Sequence, residues 1–276
     1  MCGIVGYIGE TKAVPVIMEG LGKLEYRGYD SAGIAVCNNG KINMLKAKGK
    51  LAALEEKIKQ NPISGSVGIG HTRWATHGEP SDINSHPHMS EDRAIAVVHN
   101  GIIENYLDIK KQLTEKGYKF VSETDTETVA HLVDDYYKTG MSFIDAVFAM
   151  SEKIEGAYAL GIICKDQPDT LTAVRKGCPL IIGKGEGENF IASDIPAILN
   201  HTRQIYFMED DEVAIIKKDS IQILDKNKNE VKRDIYNVKW DISAAEKDGY
   251  DHFMIKEIHE QPKIVKETVE IRLPEN

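Results

Sequence analysis

The sequence predicts an α+β fold, with antiparallel sheets whose faces are covered by helices. Short, partly β-branched runs bounded by turn residues recur from residue 3 to residue 224. After residue 156 these runs follow one another through connections too short to hold a crossover helix, and three helical segments stand as a block between residues 104 and 154. Strands joined by short turns pair antiparallel, and such sheets bury their apolar faces under helices.

Residues 3–8, GIVGYI, form a buried strand closed by Gly9. Residues 14–24 carry apolar side chains at helical spacing, and the loop YRGYDSAG at 26–33 leads into a strand at 34–37. Asn38-Asn39-Gly40 between apolar runs predicts a hairpin to a second strand, INML at 42–45. A short helix at 51–59 ends at Asn61-Pro62. Strands at 67–69 and 94–98 bracket a loop rich in Gly, Pro, His, Ser and Thr, and a connection that long is usually functional. Helices follow at 104–116, 126–138 and 142–154, the second with a capping-box pattern of Thr124 and Glu127. Strands are then expected at 158–164, 171–175, 180–182, 190–192, 204–207, 212–216 and 220–224. The charge-dense segment after 240 reads as a linker or docking arm, helical over 252–269 and interrupted or kinked at Pro262. The expected organisation is one domain over 1–240 and a linker over 241–276.

Composition narrows the function classes. The 276 residues are 42% hydrophobic, enough for a sizeable core, and 34 basic against 43 acidic residues give a net charge of -9. That balance opposes non-specific nucleic-acid binding, which relies on clustered positive charge. No secretory leader pattern and no run of eighteen apolar residues occurs, so a cytoplasmic protein without a membrane span is expected. Cys2, Cys37, Cys164 and Cys178 include no C-x-x-C pair, so neither a zinc ribbon nor a disulfide scaffold is indicated. The histidines at 71, 77, 86, 88 and 99 lack metal-ligand spacing, so no metal and no cofactor is expected. GKGEG at 183–187 lacks the Lys-Ser/Thr ending of a phosphate loop and reads as a turn.

Cys2 is the residue whose position is chemically unusual. Initiator Met1 is normally trimmed before a small residue, which leaves a cysteine bearing both a thiol and a free α-amine. An α-amine of reference pKa about 7.7–8.0 can act as base for a neighbouring nucleophile. Acyl transfer from an amide also needs donors for the oxyanion, and Asn100 and Gly101 in His99-Asn100-Gly101 can supply them. A zwitterionic substrate calls for one cation and one anion, which Arg73 and Asp125 provide. Each residue also has a plainer reading: Cys2 as a buried strand cysteine, Asn100-Gly101 as a turn, Arg73 as a surface ion pair, and Asp125 as a favourable charge in a first helical turn.

The stretches CGIVG at 2–6, LEYRGYDSAG at 24–33, HTRWATHGEP at 71–80 and NSHPH at 84–88 resemble the glutaminase domain of the glucosamine-6-phosphate synthases. HNGIIEN at 99–105, SETDTE at 122–127, ENFIASD at 188–194 and KEIHEQP at 256–262 extend that resemblance almost end to end. It implies a four-layer αββα sandwich of the N-terminal nucleophile hydrolase type, in which Cys2 attacks the side-chain amide of L-glutamine. It further implies an oxyanion hole of Asn100 and Gly101, and α-carboxylate binding by Arg73 with Thr76 and His77. Asp125 would take the α-amine, Trp74 would close over the site, and Arg27 would support the cysteine. The family's complete enzymes carry C-terminal isomerase domains that this chain lacks, so glutamine hydrolysis without amino-sugar synthesis is expected, from a monomer where the full-length enzyme is a homodimer. Two other readings remain: the glutaminase half of another class-II amidotransferase, and a non-catalytic module that binds glutamine and reports it to a partner.

Overall fold

The computed structural model describes residues 2–75, 77–239, 250 and 253–270, and the chain forms two compact units, Met1–Val238 and Lys239–Asn276. The first unit opens with β1 (Gly3–Gly9), α1 (Ala13–Leu24), β2 (Ser31–Asn38), β3 (Lys41–Lys48), α2 (Leu51–Gln60), β4 (Val67–Arg73), β5 (His88–Met89) and β6 (Ile95–Ile103). The helices α3 (Tyr106–Glu115), α4 (Thr126–Lys138) and α5 (Phe143–Lys153) come next. Eight strands complete the unit: β7 (Gly156–Cys164), β8 (Leu171–Lys176), β9 (Ile181–Lys184), β10 (Glu188–Ala192), β11 (Gln204–Phe207), β12 (Glu212–Ile216), β13 (Ile221–Leu224) and β14 (Tyr236–Asn237). The second unit holds α6 (Phe253–Glu270), which runs on through Pro262 instead of breaking there.

Two antiparallel sheets result, eight strands in the order β14-β11-β9-β10-β1-β4-β2-β3 and six in the order β13-β12-β8-β7-β6-β5. They pack face to face. Ile4, Ile8, Ala35, Val67 and Ile69 from the first sheet meet Ala96, Val98, Ala159, Ile163 and Leu171 from the second in one apolar cluster. The first sheet's outer face is covered by α1, packed on β1 and β4, and by α2, packed on β3 and β2. Beyond the second sheet, Val129, Val133, Val147 and Phe148 of α4 and α5 close over Ile95, Val97 and Leu160. This is a four-layer αββα sandwich. Because both faces of the central strands are covered, β1 reads as an uninterrupted buried run and not as an alternating one.

Local chemistry explains most elements. The β2–β3 hairpin turns on Asn39 and Gly40, both at positive φ (50° and 70°), the two-residue turn that Asn-Gly favours. Ser142 caps α5 by accepting from the Asp145 amide. The capping box expected from Thr124 and Glu127 is absent: the Thr124 hydroxyl meets Ser122 and His88, while Glu127 reaches back to the amides of Val121 and Ser122. Gly33 has no room for a side chain, since a Cβ there would lie 2.1 Å from the His86 carbonyl oxygen. Gly33→Ala is therefore expected to lower unfolding free energy by about 1–3 kcal/mol, measured by urea denaturation; an unchanged midpoint would show that the His86 backbone yields freely.

Candidate active site

Cys2 stands just ahead of β1, whose Gly3 pairs with Thr72 of β4, so the cysteine comes alongside the end of β4. The Trp74 amide donates to Cys2 Sγ at 3.2 Å, and the thiol lies 3.5 Å from the Trp74 carbonyl oxygen. Burial pushes the Cys2 thiol pKa up, with the bond from the Trp74 backbone pulling the other way. The thiol therefore keeps its proton near neutrality and needs a base to become a nucleophile.

Strand alternation brings the opposing residues in. On β4, Val67 and Ile69 face the second sheet, and His71 and Arg73 continue their face. On β6, Ala96 and Val98 face the first sheet, and Asn100 continues theirs. His71 Nε2 lies 3.0 Å from both Asn100 Oδ1 and the His99 carbonyl oxygen, and Asn100 Nδ2 donates to the Cys2 carbonyl at 3.1 Å. Asn100-Gly101 is not a turn. β6 runs straight through it, Gly101 paired with Tyr158 at φ 120°, where an added Cβ would sit 2.0 Å from the Ala157 carbonyl oxygen.

Arg73 is only 3% exposed, which excludes a surface ion pair. Its Nη2 donates to the carbonyls of His77 and Gly78, while Nη1 is buried with no partner among the described residues. Asp125, immediately before α4, is buried and accepts from the Ile103 amide at 2.8 Å. The His77 ring stands edge-on to Tyr106 at 5.5 Å, and Trp74, half exposed, stands edge-on to Tyr29 at 5.6 Å. Arg27 is buried and its Nη1 donates to the Ser193 carbonyl at 3.2 Å and to Asp194 at 3.0 Å. Thr76 lies outside the described residues. Cys2, Arg73, Asn100, Gly101 and Asp125 together line one cavity of about 330 Å³, which Arg27, Trp74 and His77 also border.

Some participants were not singled out by the sequence. Asp30 accepts from the Ala75 amide, and its own amide donates to the Arg73 carbonyl, which ties down the backbone around Arg73. Cys178, which the sequence did not single out, lines the same cavity as Cys2. The histidines form a stack behind the site: His71 on His86 at 4.3 Å, and His86 on His99 at 6.3 Å. Among the described residues, no group of three or more His, Cys, Asp or Glu is placed to hold a metal ion, and no helix is long and apolar enough to cross a membrane.

Residues 71–200 match the family model described as a glutamine amidotransferase domain. The chain is 59% identical over 273 residues to glutamine–fructose-6-phosphate aminotransferase (isomerizing) of Caldanaerobacter subterraneus subsp. tengcongensis, covering 99% of this chain and 45% of that protein. It is 50% identical over 270 residues to the protein of the same name from Pyrococcus horikoshii, covering 98% of this chain and 45% of that protein. The chain thus spans under half the length of these relatives. Among solved structures, glutamine phosphoribosylpyrophosphate amidotransferase from B. subtilis, complexed with ADP and GMP, superposes with TM-score 0.71 at 26% identity, over 83% of this chain and 50% of that one.

Burial holds the cluster's imidazoles neutral. It pushes His71 down to about 3 and puts His86 and His88 well below their ordinary value, and His99 is lowered as well. Below about pH 6.5 the unfolded chain takes up protons that these folded rings refuse, so stability falls as pH drops, by about 1.4 kcal/mol per pH unit per ring. For the three deepest-shifted rings, unfolding free energy should be roughly 4 kcal/mol lower at pH 5.5 than at pH 7.5. Urea titrations at the two pH values check this, and equal stabilities would mean that the rings are not held neutral.

Proposed function

We propose that this chain is a member of the glutamine amidotransferase family and hydrolyses L-glutamine to L-glutamate and ammonia with the Cys2 thiol as nucleophile once Met1 has been removed. The observation that carries this reading is the convergence of a thiol, an amide donor, a buried guanidinium and a buried carboxylate on one cavity. The freed α-amine takes the thiol proton, and sulfur attacks the side-chain carbonyl carbon of glutamine. The oxyanion is met by Asn100 Nδ2 and the Gly101 amide, donors that cost no reorganisation because they are already held. Collapse breaks the C–N bond as the α-ammonium protonates the departing amide nitrogen, which leaves as ammonia, and a thioester remains on Cys2. A water deprotonated by the same amine then attacks the thioester, releasing glutamate and restoring the thiol.

Specificity follows from the charged side chains that line the cavity. Arg73, with its unpartnered Nη1, takes the α-carboxylate, and Thr76 and His77 assist in the role that the family resemblance implies. Asp125, one oxygen of which is held by the Ile103 amide, takes the α-ammonium. Trp74 closes over the bound substrate, and Arg27 braces the loop against Ser193 and Asp194. Relatives more than twice this length support a wider proposal. Residues 1–240 are the glutaminase and 241–276 lead toward isomerase domains of a longer cytoplasmic enzyme, homodimeric when whole and monomeric as this piece, which passes the ammonia to fructose 6-phosphate to make glucosamine 6-phosphate.

Four variants, assayed by glutamate release, test the reading. Cys2→Ala should abolish turnover yet keep glutamine binding. Asn100→Ala should lower kcat by about 10²–10³-fold with KM little changed. Arg73→Lys and Asp125→Asn should act mainly by raising KM. Turnover surviving in Cys2→Ala would remove the thiol from the mechanism, and an absence of any wild-type turnover alongside tight glutamine binding would favour the regulatory module.

A further inference from the structure

A side-chain amide donates from one end and accepts at the other, so Asn100 serves an oxyanion only in one of its two flips. Two backbone carbonyls decide which. The His99 carbonyl oxygen, 3.0 Å from His71 Nε2, can only accept, so Nε2 carries the proton. The same Nε2 therefore faces Asn100 as a donor, which requires Oδ1 at that end, 3.0 Å away. The Cys2 carbonyl, also acceptor only, meets the other end at 3.1 Å, which requires Nδ2 there. One Nδ2 proton is committed to Cys2; the other remains for the cavity that Asn100 lines.

We infer that His71 is a positioning residue for the proposed hydrolysis: its Nε2–H, anchored on the His99 carbonyl, holds the Asn100 amide in the flip that offers N–H to the reacting carbonyl. The inference rests on the proposed function for its catalytic consequence. His71 touches no substrate. It is fully buried, stacked on His86 at 4.3 Å, and its Nδ1 has no partner among the described residues, so the ring has no second hydrogen bond that would favour turning over. His86 is fixed in turn by accepting from the His99 amide at 3.3 Å and lying 3.3 Å from the Thr126 hydroxyl. Burial keeps His71 neutral, with its pKa down near 3, so the tautomer persists through the physiological range. A protonated ring would present an Nδ1–H with nothing to receive it, at the cost that an unsatisfied buried donor carries.

The test compares His71→Phe, His71→Gln and His71→Asn in the intact chain. A glutamine amide places Nε2 about where the imidazole Nε2 stands, whereas asparagine falls one methylene short. His71→Phe and His71→Asn should lose about 10²-fold in kcat with KM within a few-fold of wild type, and His71→Gln should recover most of the loss. A wild-type kcat in His71→Phe, or a loss lodged in KM, would overturn the inference. So would equal losses in the Gln and Asn variants. Should the variants not fold, nitrogen-15 spectra of the wild-type imidazoles decide. A protonated Nε2 with a bare Nδ1 from pH 5.5 to 8 is expected, and a protonated Nδ1 overturns the assignment. Because that spectrum does not depend on turnover, failure of the positioning role is distinguishable from failure of the glutaminase reading.

Discussion

One amide group joins the two sheets at the end where the chemistry is placed. Asn100 projects from β6 and is held by His71 of β4 at its oxygen and by the Cys2 carbonyl at its nitrogen, so strands of both sheets meet on a single side chain. Over most of the interface the sheets touch through Ile, Val, Leu and Ala, which fix spacing but carry no direction. At this end, hydrogen bonds replace apolar contacts, and they do carry direction. The orientation of the donor and the position of the nucleophile are set by the same bonds, so neither can shift without the other.

Placing polar groups there is costly unless each finds a partner. The histidine stack shows how the fold meets that cost. The rings are neutral, pack as flat surfaces against one another, and use their nitrogens on backbone groups and the Thr126 hydroxyl. Among the buried atoms without a partner in the described residues, Arg73 Nη1, His77 Nδ1 and His99 Nε2 belong to side chains that line the cavity. A cavity wall that keeps a guanidinium nitrogen unpaired suits an anionic ligand, because a carboxylate would satisfy it on arrival.

Much of this was legible in the sequence, and the failures have a pattern. The hairpin at Asn39-Gly40, the α1 stripe and the three-helix block follow from local rules that the tertiary structure does not override. Strands read as 67–69 and 94–98 instead run to Arg73 and to Ile103. In both, the alternation persists but changes from apolar to polar, Val67-Ile69 giving way to His71-Arg73 and Ala96-Val98 to Asn100, so a hydrophobic pattern ends where the site begins. The candidate residues were found through their chemistry and their motifs. His71, Asp30 and Cys178 escaped because their parts depend on partners distant in sequence, Asn100 for His71 and the cavity wall for Cys178. The two-residue strands β5 and β14 are too short to carry a period.

The central claim is that the Cys2 thiol meets the side-chain carbonyl of glutamine in this cavity. The most direct measurement is the intact mass and peptide map of Met1-free protein after exposure to a glutamine analogue that bears a thiol-alkylating group in place of the amide. A single adduct on Cys2, prevented by excess L-glutamine, is the predicted result. No adduct, or one on Cys37, Cys164 or Cys178 instead, would contradict it.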